Sequence, residues 1–115
     1  MKITSLEREK KEKAEMEGAK NVYKQVPISK NDGVPHFSFR VFTIEPKGHT
    51  PFHTHSCEHE NYIIEGHGAV VTEDGEHEIK KGDFVFIAPD EKHQYRNQSN
   101  HEPLVMICAV PKEYE

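Results

Sequence analysis

From residue 21 onward, short runs of β-branched and aromatic residues alternate with clusters of Gly, Pro, Asn and Asp, and this alternation restricts the chain to strands. Val22, Tyr23, Val26 and Ile28 mark a first strand, stopped near Pro27 and the turn sequence Lys30-Asn31-Asp32-Gly33. Residues 37–45 form the most apolar run, with Phe37, Phe39 and Val41 on one face and Phe42 and Ile44 on the other. Pro46-Lys47-Gly48 reads as a turn, 50–55 as extended chain and 60–65 as a strand broken by Gly66-His67-Gly68. Residues 69–72 and 77–80 flank an Asp74-Gly75 hairpin signal. Residues 84–87, 93–97 and 104–110 supply the last strands, with Phe39 and Phe84 expected in the core. No helical period appears after residue 20, which predicts an all-β sandwich or barrel.

A chain of 115 residues builds one modest core and so one domain, over 21–115. Residues 1–20 form a charged N-terminal arm. Residues 1–17 carry five basic and five acidic side chains, so the net charge of −5 lies in the body. Thr4 and Glu7 have capping-box spacing, Glu7–Lys11 and Glu9–Lys13 are i,i+4 pairs, and Gly18 is a stop signal. Within 4–18 only Leu6 and Met16 are large and apolar, so the expectation is a frayed helix or mobile arm, with docking across a partner subunit as the alternative. No basic stripe exists, which argues against nucleic acid. No apolar run reaches the roughly 18 residues of a membrane span. The charged start lacks a signal-peptide core, which points to the cytoplasm, and two cysteines make no disulfide scaffold.

Nine histidines are present, and three fall within seven residues: His53, His55 and His59. On extended chain His53 and His55 point to one face. His59, Asn61 and Ile63 share a face of the next strand, and His93, Tyr95 and Asn97 share a face of a later one. Four converging imidazoles suit a divalent first-row metal without choosing among them. His36, His49, His67, His77 and His101 lie in loops, turns or polar strands and read as surface residues. Cys57 reads as a bystander, Cys108 as core, and Tyr95 and Phe52 as packing. No Ser/His/Asp arrangement is present, and Gly66-His67-Gly68 precedes no helix and so is no phosphate loop.

These stretches resemble the cupin superfamily. Its first motif is similar to Gly48-His49-Thr50-Pro51-Phe52-His53-Thr54-His55 and its continuation to Gly66, and its second to Gly82 through Pro89 and His93 to Asn97. The first motif here has four residues, not five, between Gly48 and His53; Ala88 replaces a usual Pro, and Asp90 a usual Gly, a turn position that Asp tolerates. The usual glutamate ligand, six residues before the closing Gly66, is replaced by His59, with Glu60 the alternative.

The resemblance implies a small antiparallel jelly-roll barrel, a homodimer, and one divalent metal at His53, His55, His59 and His93. Manganese ranks first, with iron, nickel or zinc as alternatives. Four neutral imidazoles leave the ion its full charge, and an octahedral ion keeps two positions open for a small, anionic oxygen ligand. Glu58, Glu60 and Asn97 are candidate partners for the other ring nitrogens, although the two glutamates also read as solvated rim residues. Tyr95, Glu58 and Glu60 are the candidate acids or bases. An enzyme acting on a small oxygenated metabolite, a cupin that captures an acid or sugar without turnover, and a structural cupin all remain open, because the barrel hosts many chemistries.

Overall fold

The computed structural model describes residues 1–115. Nine strands follow one another: β1 (Glu12–Lys13), β2 (Lys20–Ile28), β3 (Phe37–His49), β4 (His59–Glu65), β5 (His67–Thr72), β6 (Gly75–Lys80), β7 (Phe84–Ile87), β8 (His93–Arg96) and β9 (Leu104–Pro111). Two single 3-10 turns, Lys30–Asp32 and Lys112–Tyr114, complete the chain. The strands pair in the order β6-β5-β8-β3-β9-β4-β7, with β2 added to β3 and β1 to β2, all antiparallel. The sheet curls on itself as a jelly-roll half-barrel. No helix is long and apolar enough to cross a membrane.

Alternation along each strand divides the sheet into an inner and an outer face. Val22, Ile44, Ile63, Val70, Ile79, Ile87, Tyr95, Leu104 and Met106 fill the inner core. Cross-strand register then fixes which side chains stand abreast. Phe42 lies opposite Met106 and Met106 opposite Ile63, and one row further on Arg40, Cys108 and Asn61 line up across β3, β9 and β4. The apolar end of the barrel therefore grades into a polar row.

Four expectations are corrected. The N-terminal arm is not helical. Without an apolar face to bury, its backbone is satisfied by β2 instead: Ala14 N–H donates to the Val22 carbonyl, and the buried Gln25 amide donates to the carbonyls of Leu6 and Glu9 at 2.7 and 3.0 Å. Phe39 and Phe84 are not core residues. They are 40% and 82% exposed on the outer face, while Ser38 and Arg40 take the buried inner positions between the aromatics. Pro46-Lys47-Gly48 does not end its strand. Lys47 adopts φ +66° and the register slips between Lys20 and Val22, so the segment is absorbed as a bulge in β3. Pro27 is likewise carried inside β2, where the register slips between Gln25 and Ile28.

Candidate metal centre

The extended chain after β3 is laid against β8. His53 and His93 exchange backbone hydrogen bonds at 3.1 and 3.0 Å, and Thr50 N–H donates to the Tyr95 carbonyl. His53 and His55 are thereby brought to His93, and His59 opens β4 beside them. Ring centroids lie 5.2 Å apart for His53 and His55, 5.4 Å for His53 and His93, 4.8 Å for His55 and His93, and 5.5 Å for His59 and His93. His59 stacks on His55 at 4.1 Å. The ligating atoms of His53, His55 and His93 lie within 4.8 Å of one another, and so do those of His55, Cys57 and His59. His55 is the common member.

Hydrogen bonding fixes how two of these rings present themselves. His55 Nδ1 faces the Cys57 carbonyl at 2.8 Å, and His93 Nδ1 faces the Glu91 carbonyl at 2.8 Å. A carbonyl only accepts, so each Nδ1 carries the proton and each Nε2 is a bare lone pair. Those two Nε2 atoms face each other at 3.3 Å. Two lone pairs at that distance repel, and a cation between them removes the repulsion, so the donor set fits a divalent metal. His59 Nδ1 lies 3.7 Å from Cys108 Sγ. Burial holds three of the imidazoles neutral: it pushes His59 down to about 3, helped by His55 and Arg40, and lowers His53 and His93.

The partners proposed for the ring nitrogens from sequence are not the ones used. Backbone carbonyls and a thiol take those places. Asn97 Nδ2 donates instead to the carbonyls of Ile44 and Glu102, both at 2.8 Å, tying the end of β8 to β3 and to the loop before β9. Glu58 and Glu60 are exposed rim residues, with Glu60 on the face opposite to Asn61's neighbour His59. Desolvation and the neighbouring Glu58 raise the Glu60 carboxyl. Tyr95 is buried and its hydroxyl donates to Asn61 Oδ1 at 2.7 Å. Phe52 is exposed, with the Lys92 ammonium 4.6 Å from its ring centre. Cys57 is half-buried, with Sγ 3.7 Å from His55 Nδ1. Asp90 adopts φ +66° and its N–H donates to the His55 carbonyl at 2.9 Å, as expected of the residue replacing glycine in the second motif.

The histidines line a cavity of about 220 Å³, smaller than the pockets that take drug-sized ligands. Phe42, Met106, Met16 and Tyr114 form apolar walls, and Arg40, Asn61 and Tyr95 add polar groups. Cys108 is buried as expected, and Arg40 is the residue that sequence reasoning missed. The available signal was a single arginine inside the otherwise apolar run 37–44, since an arginine there is either on the solvent face or buried for a reason.

A family model for the cupin domain matches residues 40–110. The chain belongs to the cupin family. Over its full fold it is similar to the polyketide cyclase RemF of Streptomyces resistomycificus, with a TM-score of 0.92 and 29% identity, covering 97% of this chain and 80% of that one. It is also similar to a cupin 2 domain-containing protein of Halorhodospira halophila, with a TM-score of 0.74 and 31% identity over 87% of this chain and 68% of that one. Among curated proteins it matches the uncharacterized protein MJ1618 of Methanocaldococcus jannaschii, 33% identical over 63 residues. That match takes in 54% of this chain and spans half the length of the relative.

Proposed function

We propose that this cupin holds one divalent transition metal, manganese first, at His53, His55, His59 and His93, and uses it to bind and transform a small carboxylate or oxygenated metabolite. The observation that carries the reading is the pair of unprotonated Nε2 atoms of His55 and His93 facing each other at 3.3 Å. When bound, such an ion supplies Lewis-acid polarisation of a carbonyl or enol oxygen. The chain's own contribution is to keep His53, His59 and His93 neutral by burial, to fix two of the ring tautomers through backbone carbonyls, and to wall the cavity with apolar side chains. The likeness to a polyketide cyclase supports turnover of an oxygenated substrate. Two free thiols suit a reducing compartment such as the cytoplasm. The exposed aromatic outer face supports a homodimer.

Capture without turnover is the second reading. It is favoured by where the sequence-proposed acids and bases stand: the Tyr95 hydroxyl is committed to Asn61, and Glu58 and Glu60 are exposed at the rim. Metal analysis of protein purified without a chelating column tests the first step. Close to one equivalent per chain is expected, and His59→Ala should lose far more metal than Glu60→Ala. The opposite ranking would exchange the ligand assignment, and metal-free protein would remove the reading. A panel of small keto acids, diacids and enols with Mn(II), Fe(II) and Ni(II), with and without oxygen, separates enzyme from binder.

A further inference from the structure

Arg40 stands in the inner row with Cys108 and Asn61, is 9% exposed, and lines the histidine cavity. A guanidinium has five N–H donors and no acceptor. Here it finds two protein partners. Nη1 donates to the Tyr114 carbonyl at 3.3 Å, and Nη2 points at Cys108 Sγ at 3.0 Å. Nε is buried with no partner at all. The Phe42 ring lies 5.0 Å from the guanidinium carbon, which holds its plane but supplies no counter-charge. The four ion pairs of the molecule all involve lysines, so no carboxylate of the chain forms a direct ion pair with Arg40. A buried cation served by one carbonyl and one thiol is costly to maintain unless something else completes it.

Arg40 borders two cavities, an outer one shared with Lys24 and Glu115 and the histidine cavity, and a ligand in the second would complete it. The Cys108 sulfur that faces Arg40 Nη2 also lies 3.7 Å from His59 Nδ1. A single thiol therefore separates the guanidinium from the histidine cluster. Phe42 and Met106 line the same cavity, and their apolar surface accepts a short apolar spacer. We infer that Arg40 is the seat for the carboxylate of the cavity's ligand, a small organic acid whose second oxygen group reaches the histidines. The planar fork suits a carboxylate held by two parallel N–H bonds. The inference rests on the metal reading for the second contact, but the Arg40 contact can be read separately.

The test uses metal-loaded protein and a matched pair of probes, succinic acid monohydroxamate and its primary amide. The hydroxamate end chelates the metal in both, and only the acid offers a carboxylate to Arg40. Calorimetric titration should give the acid an affinity at least about tenfold above the amide, or roughly 1.4 kcal/mol. Arg40→Met should erase that preference while leaving metal content and amide affinity unchanged, and Arg40→Lys should keep part of it. Equal affinities in the wild type, or a preference that survives Arg40→Met, overturn the inference. Arg40→Gln replaces the Met variant if that one fails to fold. Should the protein take up no metal, the function proposed above fails alone. Benzoate against benzamide then reads Arg40 on the metal-free protein: an Arg40-dependent preference for benzoate upholds the inference, and no such preference overturns it.

Discussion

Gly66 closes the turn between β4 and β5 at φ +83°, and a Cβ there would collide with the carbonyl of Pro103. Gly82, at φ +98°, has nothing within 4 Å of the place a Cβ would occupy. The two glycines bound the two histidine motifs, yet different physics holds them. At Gly82 a side chain meets only backbone strain, about 1 kcal/mol. At Gly66 it meets that strain and fixed backbone besides, for a total of about 3 kcal/mol or more. Gly66→Ala should therefore lower the urea unfolding midpoint far more than Gly82→Ala, and equal losses would show that the Pro103 contact is relieved without cost. At this scale much of the site was legible. The interval from His59 to Gly66 set the histidine register, and the side-chain period of two put His59 and Asn61 on one face. The role of Arg40 was not legible. The period tells which face a residue takes, not which face is inward, and it says nothing of the Cys108 and Asn61 that stand beside it on the next two strands.

Nearly all strands were readable as elements, because turn residues fall where the chain reverses, as at Asp74-Gly75 between β5 and β6. The facing of β3 was not. Large residues stand on both of its sides, and hydrophobicity alone favoured burying the phenylalanines, whereas the inner face takes Ser38 and Arg40. The reason becomes visible only with the pairing. Phe39 lies opposite Ala109, Ala109 opposite Glu60 and Glu60 opposite Phe86, so these side chains share the outer surface. Phe37 and Phe39 are 62% and 40% exposed, and Phe84 and Phe86 are 82% and 62% exposed. Four such rings offer on the order of 400 Å² of apolar surface, near half of one partner's share of a standard interface. Four exposed phenylalanines on one sheet face of a small domain mark an interaction surface, and a second copy of the chain is the occupant proposed. Sedimentation should show a dimer, and Phe39→Lys with Phe86→Lys should shift it to monomer with metal content unchanged. A wild-type monomer at micromolar concentration would refute this use of the face.

At the scale of the whole molecule, the last turn closes the fold onto its own middle. The Glu115 side-chain carboxylate accepts from the Ser29 hydroxyl at 2.8 Å, from Lys30 N–H at 2.7 Å and from the Ser38 hydroxyl. It therefore joins the turn after β2 and the start of β3 to the segment carrying Tyr114, which lines the cavity and faces Ser56 Oγ at 3.4 Å. Burial alone would raise this acid, but the donors from Ser38, Lys30 and Ser29 outweigh it and hold the carboxyl below its usual range. The folded state thus binds the proton less readily than the unfolded chain, so the stabilisation is complete above the ordinary glutamate value of about 4.3 and is lost as pH falls through the lower folded value. Hydrogen bonds to a charged acceptor contribute about 1.5–3 kcal/mol when buried, and partial exposure of Glu115 reduces this to about 1 kcal/mol. Denaturant unfolding of the wild type and Glu115→Gln should differ by that amount at pH 7, with the wild type the more stable, and the gap should close below about pH 4. Two curves that stay parallel from pH 7 to pH 3 would mean that the charge on Glu115 does not hold the latch, and that neutral hydrogen bonds from Ser29 and Ser38 suffice.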